Sequence, residues 1–549
     1  MKKRFFQKFI ILPLGAIALG VLSSCTFNFW STVNGSKSMV TSGLAITSKD
    51  GTSYGAPKTS YDSGTNYSPK ATAFTQSKVE SSGSGFMMPS TGKLNILVIP
   101  VIVDDFKANA TEKVRNDINS AFFGDPSDTS WESLASFYYK SSYGQLLLNG
   151  TVSPWYDCGY TSKQISELTY TGTSSYRSAY EPTWTILENA VAWYQSNYRT
   201  DCSEFDSDGN SVIDAVWLVY SAPDAQKDTS LDSTDFWAYT YSDLLPYEKA
   251  VKVGSASTCI PFRYSWASYD FLYAGYGTTG IDAHTFIHET GHLMGLDDYY
   301  VTDTASSYTT NYGPMGRIDM MDFNIIDHNA YSKYALGWIK PYVVTGATTI
   351  TLKPSATSGQ AILLPTSTNG WNGSAFDEYM LLEFYTPTLL NKKDSDSAYP
   401  DNEQRGFTVN GIRMYHVDAR LVTISNGVAT YSDSLVANDT AYTIMAHGNS
   451  SAYNKNTGTT LSYRLVQEMD CKSKRNFDTD PLIVTKNGKQ TLLPDVADDT
   501  SLFQNGDSFS FANYSHSFPK STMNDGNSFP YKVAVSGISS ESATVTISL

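Results

Sequence analysis

The sequence predicts an α+β fold: a mixed sheet with helices, one of them carrying the pentapeptide HETGH, followed by a β-sandwich-like C-terminal region. Three observations predict it. Two near-continuous apolar runs, KLNILVIPVIVDDF at 93–106 and VIDAVWLVYS at 212–221, read as buried strands with helical patterns between them. The segment AHTFIHETGHLM has the spacing of a helix and ends at a glycine. From about residue 342 the texture changes to short β-rich runs separated by turn residues.

In chain order, residues 1–24 read as an export signal, with Lys2, Lys3, Arg4 and Lys8 ahead of the apolar run FIILPLGAIALGVL, too short to span a bilayer comfortably. The run ends in LSSC at 22–25, which resembles a bacterial lipobox. Cys25 is then the lipidated N-terminus of a chain tethered to the extracytoplasmic face of a membrane; a plain secretory signal, leaving a secreted protein, is the alternative. Residues 25–92 are rich in Ser, Thr, Gly, Tyr and Lys with no sustained apolar period, so a flexible stalk or a pro-segment is expected there.

Residues 93–341 form the expected first domain. Between its two apolar strands, ESLASFYYKSSYGQLLLNGTVSPW reads as a helix and then a strand, and TWTILENAVAWYQSNY has helical spacing. Residues 342–549 form the β-rich second region, from TTITLKP and AILLPT through YMLLEFYTP and GIRMYHVDA to YKVAVSG and ATVTISL. A chain of 549 residues is too long for one ordinary core, which fits this division. The formal charge of −15 is spread along the chain and argues against a nucleic-acid partner, whose phosphates it would repel. Beyond Cys25, the cysteines Cys158, Cys202, Cys259 and Cys471 are widely spaced. They suit disulfides of unassigned pairing or free buried thiols, not zinc binding.

The chain holds only seven histidines, and two of them fall within HETGH. With Asp282 able to cap the helix, His288 and His292 lie four apart on one face, where two imidazoles can meet one Zn²⁺; Glu289, beside the first, can reach a water on that ion. This HExxH arrangement predicts a zincin-like metalloprotease domain in which Glu289 is the general base of peptide hydrolysis. A catalytic zinc takes a third protein ligand. No glutamate occurs between Glu289 and Glu378, which disfavours a downstream glutamate. The alternative is a glycine turn with a ligand six residues after the second histidine, and counting past Gly295 gives Asp298. Asp297 is expected to hydrogen-bond the turn, and His284 to be a helix-end or supporting residue, since it lies too far along the helix to share the ion.

HETGHLMGLDDYY at 288–300 resembles the HExGHxxGLxDxY signature of the immune inhibitor A (thuringilysin) family of bacterial zinc metalloproteases. GRIDMMDFNIIDHNAYSKYALGWIKP at 316–341, EYMLLEFYTP, GIRMYHVDARL and SFYYKSSYGQLLLNGTVSPW are similar to further segments of that family, so the resemblance extends over about 93–549. It implies a zinc endopeptidase acting on protein or peptide substrates, with β-rich C-terminal modules. Carried over by motif, His288, His292 and Asp298 are zinc ligands and Glu289 is the base. Met321, with Met320 the second choice, forms a methionine turn beneath the zinc. Thr290 and Asp297 depart from residues more usual in the family, often Tyr and Pro, without removing chemistry.

Other residues carry further expectations. DSDGNSVID places Asp206, Asp208, Asn210 and Asp214 around a glycine as in calcium loops, though without the twelfth-position glutamate, and Ca²⁺ is expected there. His416 and Asp418 alternate on one strand face and either reach the cleft or hydrogen-bond within the sheet. His328 precedes a helix as a cap-region residue. Tyr299, Tyr300 and Tyr312 are the candidate donors to an oxyanion. The competing reading is a surface adhesin or binding protein with an inactive peptidase-like fold. An intact Glu289 argues against it.

Overall fold

A computed structural model describes residues 45–47, 53–83, 86–168, 181–242, 259–273, 280–301, 313–366, 371–399, 404–438, 440–449, 463–472, 475, 477, 481–486, 489–494 and 496–549. The protein is mixed α/β with several sheets. The expected signal and Cys25 lie outside the described residues, as does Tyr312.

The chain enters through the strand β1 (Tyr67–Pro69) and the helix α1 (Gln76–Gly83). These elements lie within 25–92, where a flexible stalk or a pro-segment is expected. β1 pairs antiparallel with Tyr342–Val344, Val79 and Met88 are fully buried, and Met88 N–H donates to Leu293 O at 2.9 Å. The segment has too few apolar residues to fold alone, and it gains order by packing on distant parts of the chain.

The first sheet is built from β2 (Gly92–Ile102), β3 (Leu146–Val152), β4 (Val216–Tyr220), β5 (Tyr239–Ser242) and β6 (Arg263–Ser268) in the order β3-β2-β4-β6-β5. The first three pairings in that order are parallel, and β5 is an antiparallel edge. Successive side chains on a strand point to opposite faces, and both faces of β2 are buried. Leu94, Ile96 and Val98 join the core beneath the HETGH helix, while Leu97, Ile99 and Val101 pack with Ile186, Leu187 and Val191 of the helix Glu181–Tyr198. That two-sided burial is why the apolar run at 93–106 is continuous rather than alternating.

The second large sheet takes β1, β7 (Tyr342–Val344), β9 (Ala361–Pro365), β10 (Glu378–Tyr385), β11 (Gly411–Asp418) and a last strand, Val466–Glu468. A four-stranded sheet of β8 (Thr348–Leu352), Ser508–Ser510, Lys532–Ser536 and Ala543–Ser548 lies against it. Ile362, Leu364, Met380, Leu382, Ile412 and Met414 share a core with Val533, Val535, Val545 and Ile547 of this smaller sheet, as a sandwich requires. The alternate residues of the same strands, Leu363, Leu381, Tyr415 and Val417, belong instead to the core that holds Phe286, Ile287 and Leu293 of the HETGH helix. The six-stranded sheet is therefore a middle layer, and the boundary expected at 341/342 cuts through one continuous core.

Candidate metal centre

The helix α2 (His284–Leu293) carries HETGH. Its N-cap is Ala283, one residue later than expected, although Asp282 Oδ1 still accepts from the His284 amide at 3.2 Å. Trp217 on β4 donates its indole N–H to Thr290 Oγ1 at 3.2 Å, fixing the helix on the sheet, and Tyr138 OH of the helix Leu134–Ser141 donates to Ile287 O at 2.7 Å. After Leu293 the chain turns through Gly295 at φ +94°, a region that side chains resist, and a Cβ there would also come within 2.8 Å of Glu80 on α1. That turn brings Asp298 back to the histidines.

The structure places His288 Nε2 3.1 Å from Asp298 Oδ1, His292 Nε2 3.2 Å from the same oxygen, and the two Nε2 atoms 3.1 Å apart. The other nitrogen of each ring faces a main-chain carbonyl, His288 Nδ1 at 2.8 Å from Met320 O and His292 Nδ1 at 2.7 Å from Leu296 O. A carbonyl only accepts, so each Nδ1 carries a proton, and in the neutral ring each Nε2 presents a lone pair. Two lone pairs and a carboxylate oxygen thus converge on one point, an arrangement that calls for a cation. Donor atoms at zinc distance from a tetrahedral ion stand about 3.3 Å apart, close to the separations here, so these residues fit the group. Without a cation, burial would lower the His292 imidazole, but the Asp298 carboxylate outweighs it and holds the ring up to about 10. Burial would raise Asp298 itself; His292 and His288 instead hold it well below the usual carboxylate range.

Glu289 is buried beside this triad, and its ligand oxygen lies within 4.8 Å of the ligand nitrogens of His288 and His292. Burial raises its pKa, opposed by His292 and His288. Thr240 on the edge strand β5 sets its side chain: Thr240 Oγ1 lies 3.0 Å from Glu289 Oε2 and 2.9 Å from Glu289 O. No spacing or composition signal in YTYS marked Thr240.

Met321 packs against the HETGH helix at Gly291. Its Sδ would be 2.6 Å from a Cβ at Gly291, so a side chain there would collide with it. The short helix Met320–Phe323 is held by Asp319, whose Oδ1 accepts from Met321 N at 3.0 Å, and Tyr299 N–H donates to Met321 O at 2.7 Å. Met320 contributes through its backbone, as the acceptor for His288. From the second sheet, Arg413 Nη2 donates to Ile318 O at 2.9 Å and pairs with Glu468 Oε2 at 2.6 Å, both side chains 1 % exposed.

His284 is separate from the triad. It is fully buried, stacked between Trp131 at 4.2 Å and Tyr399 at 3.9 Å, with Nδ1 2.5 Å from Asp282 Oδ1 and Nε2 3.4 Å from Asp394 Oδ1. Burial alone would lower its pKa; the two carboxylates outweigh it and raise the ring to about 9. Of the tyrosines, Tyr299 is buried with its hydroxyl 2.7 Å from Ser332 Oγ, whereas Tyr300 hydrogen-bonds Asp298 and lies near Glu289. His416 bonds Glu378 on the neighbouring strand at 2.8 Å, and Asp418 takes a two-pronged bond from Arg420, so both are engaged within the sheet region. His328 precedes the N-cap Asn329 and is buried against Phe137, Tyr138 and Trp338.

The acidic loop brings together the carboxylates of Asp206, Asp208 and Asp214 within 4.8 Å. Asn210, the fourth expected donor, turns its side-chain oxygen to Val212 N–H at 2.7 Å. Burial pushes the Asp214 carboxyl up to about 6; bonds from Ser207 oppose this, and Asp208 and Asp206 add to it. Cys158, Cys202, Cys259 and Cys471 are all free thiols.

Comparison with protein-family models and with curated proteins returned no match for this chain.

Proposed function

We propose that this chain is a zinc endopeptidase that hydrolyses peptide bonds in proteins and is similar to the immune inhibitor A metalloproteases. One observation carries the reading: two imidazole lone pairs and the Asp298 carboxylate converge at 3.1–3.2 Å beside a buried Glu289. His288, His292 and Asp298 hold the ion. A bound zinc supplies the positive centre that acidifies water and polarises a carbonyl.

The remaining steps belong to the chain. Glu289 takes the proton of the attacking water and returns it to the leaving amine; the raised pKa of its buried carboxyl suits both transfers. Thr240 keeps one carboxylate oxygen in place. Tyr300, hydrogen-bonded to Asp298, donates to the carbonyl oxygen only on giving up that bond. The edge strand β5 has no strand on its outer side among the described residues, so an extended peptide can add to it by main-chain bonds and lie alongside Glu289.

The export signal, with lipid at Cys25, places the enzyme on the outer face of a bacterial membrane, or secretes it if the lipid is absent. No helix among the described residues is long and apolar enough to cross a membrane. A calcium ion at Asp206, Asp208 and Asp214 stabilises the catalytic region. The test is purification of the chain without its first 25 residues, followed by zinc analysis and cleavage of casein. About one zinc per chain and casein cleavage are expected; a chain with zinc and no cleavage favours the binding-protein reading instead.

A further inference from the structure

Asn449 lies about 150 residues beyond the metal triad, in a stretch, HGNSS, with no motif. It is fully buried, and all its polar groups are engaged. Its backbone N–H donates to Asp297 Oδ2 at 2.8 Å, and its side-chain Nδ2 donates to Tyr299 O at 2.9 Å. These two contacts grip the residues on either side of Asp298. The grip is anchored in turn. Asn449 Nδ2 also donates to Val466 O at 2.8 Å, Asn449 Oδ1 accepts from Val466 N at 3.1 Å, and Arg464 Nη1 donates to Asn449 O at 3.1 Å. Val466 pairs with Val417 in the six-stranded sheet, so the contact fastens the ligand loop to the middle layer of the fold.

Two adjacent aspartates follow Gly295, and either could in principle face the histidines. The contact with Asn449 decides between them: it holds the Asp297 carboxylate to a main-chain amide and leaves Asp298 facing His288 and His292. We infer that Asn449 is the positioning residue for the third metal ligand, acting on Asp298 through Asp297 and Tyr299. This inference rests on the zinc reading above. Partners of this kind, one step removed from the ion, typically change metal affinity about 10- to 100-fold when lost.

The experiment measures zinc affinity by chelator competition, and the visible spectrum of the cobalt-substituted protein, on the full chain. Asn449→Ala is expected to bind zinc about 10- to 100-fold more weakly, with a changed cobalt spectrum. Asp297→Ala should fall similarly, whereas Asp297→Asn, which keeps an oxygen for the Asn449 amide, should stay near the parent. Val545→Ala, in the core between the two C-terminal sheets, serves as the control for lost stability alone and should leave zinc affinity unchanged. If Asn449→Ala does not fold, the two Asp297 variants decide the matter. The inference is overturned if Asn449→Ala and Asp297→Ala bind zinc as tightly as the parent, or if Val545→Ala weakens it equally. A parent chain that binds no zinc overturns the zinc reading itself, and this inference with it.

Discussion

Thr240 Oγ1 stands 3.0 Å from Glu289 Oε2, a contact between the antiparallel edge strand and the helix that carries His288 and His292. A hydrogen bond to a charged group is worth about 1.5–3 kcal/mol. Thr240→Val should therefore lower kcat/KM by roughly 10- to 100-fold with zinc content unchanged, and Thr240→Ser should recover most of the loss. A valine variant as fast as the parent would remove Thr240 from the mechanism.

The acidic loop makes a prediction in pH. With its pKa raised to about 6, Asp214 contributes stability that is fully present below its unfolded value near 4 and is lost as pH rises through 6. In chelator, the melting temperature should fall across that window, a loss of up to about 3 kcal/mol. Calcium should restore it by compensating the ionised carboxylates. Identical pH profiles with and without calcium would count against an ion at Asp206, Asp208 and Asp214.

His284 acts in the same sense at higher pH. Its raised pKa, about 9, means that the Asp282 and Asp394 contacts contribute stability fully present below about 6.5, and lost as pH rises through 9. The zinc-loaded protein should lose stability between those values. His284→Phe, which keeps a ring between Trp131 and Tyr399, should be less stable at pH 6 and nearly flat across the same range. Thermal melts at several pH values distinguish the two.

The buried pair Arg413–Glu468 ties the second sheet to the segment ahead of Met320 and Met321 through Ile318 O. Removing one partner strands the other charge in the core, so Arg413→Met should cost about 3–5 kcal/mol, while the double change Arg413→Met with Glu468→Met should recover much of it. Denaturant unfolding of the three proteins checks this. A single variant as stable as the double would contradict the pairing.

The parts of this site that were legible in the sequence are those set by local geometry. The four-residue spacing of His288 and His292, and the glycine turn to Asp298, depend on one helix and its end. The buried strands at 93–106 and 212–221 were equally plain, because burial on both faces leaves no polar alternation. What could not be read depends on pairings across long stretches of chain. Thr240, Arg413 and Asn449 have ordinary local sequences and gain their roles only where distant strands deliver them. The same reason explains why 25–92 reads as a flexible stalk or a pro-segment: the few apolar residues described there, Val79 and Met88 among them, are buried against distant parts of the chain. The expected break at 341/342 followed a real change in texture, yet alternate residues of β10 and β11 serve two different cores, which a period-two pattern with both faces apolar conceals.

We propose above that Glu289 transfers protons at a zinc held by His288, His292 and Asp298. The most direct test is casein cleavage by the zinc-loaded Glu289→Gln protein beside the parent. One zinc is expected in both, with cleavage by the variant lower by about a thousandfold or more. Cleavage at the parent's rate, or a parent chain that cleaves without zinc, would contradict it.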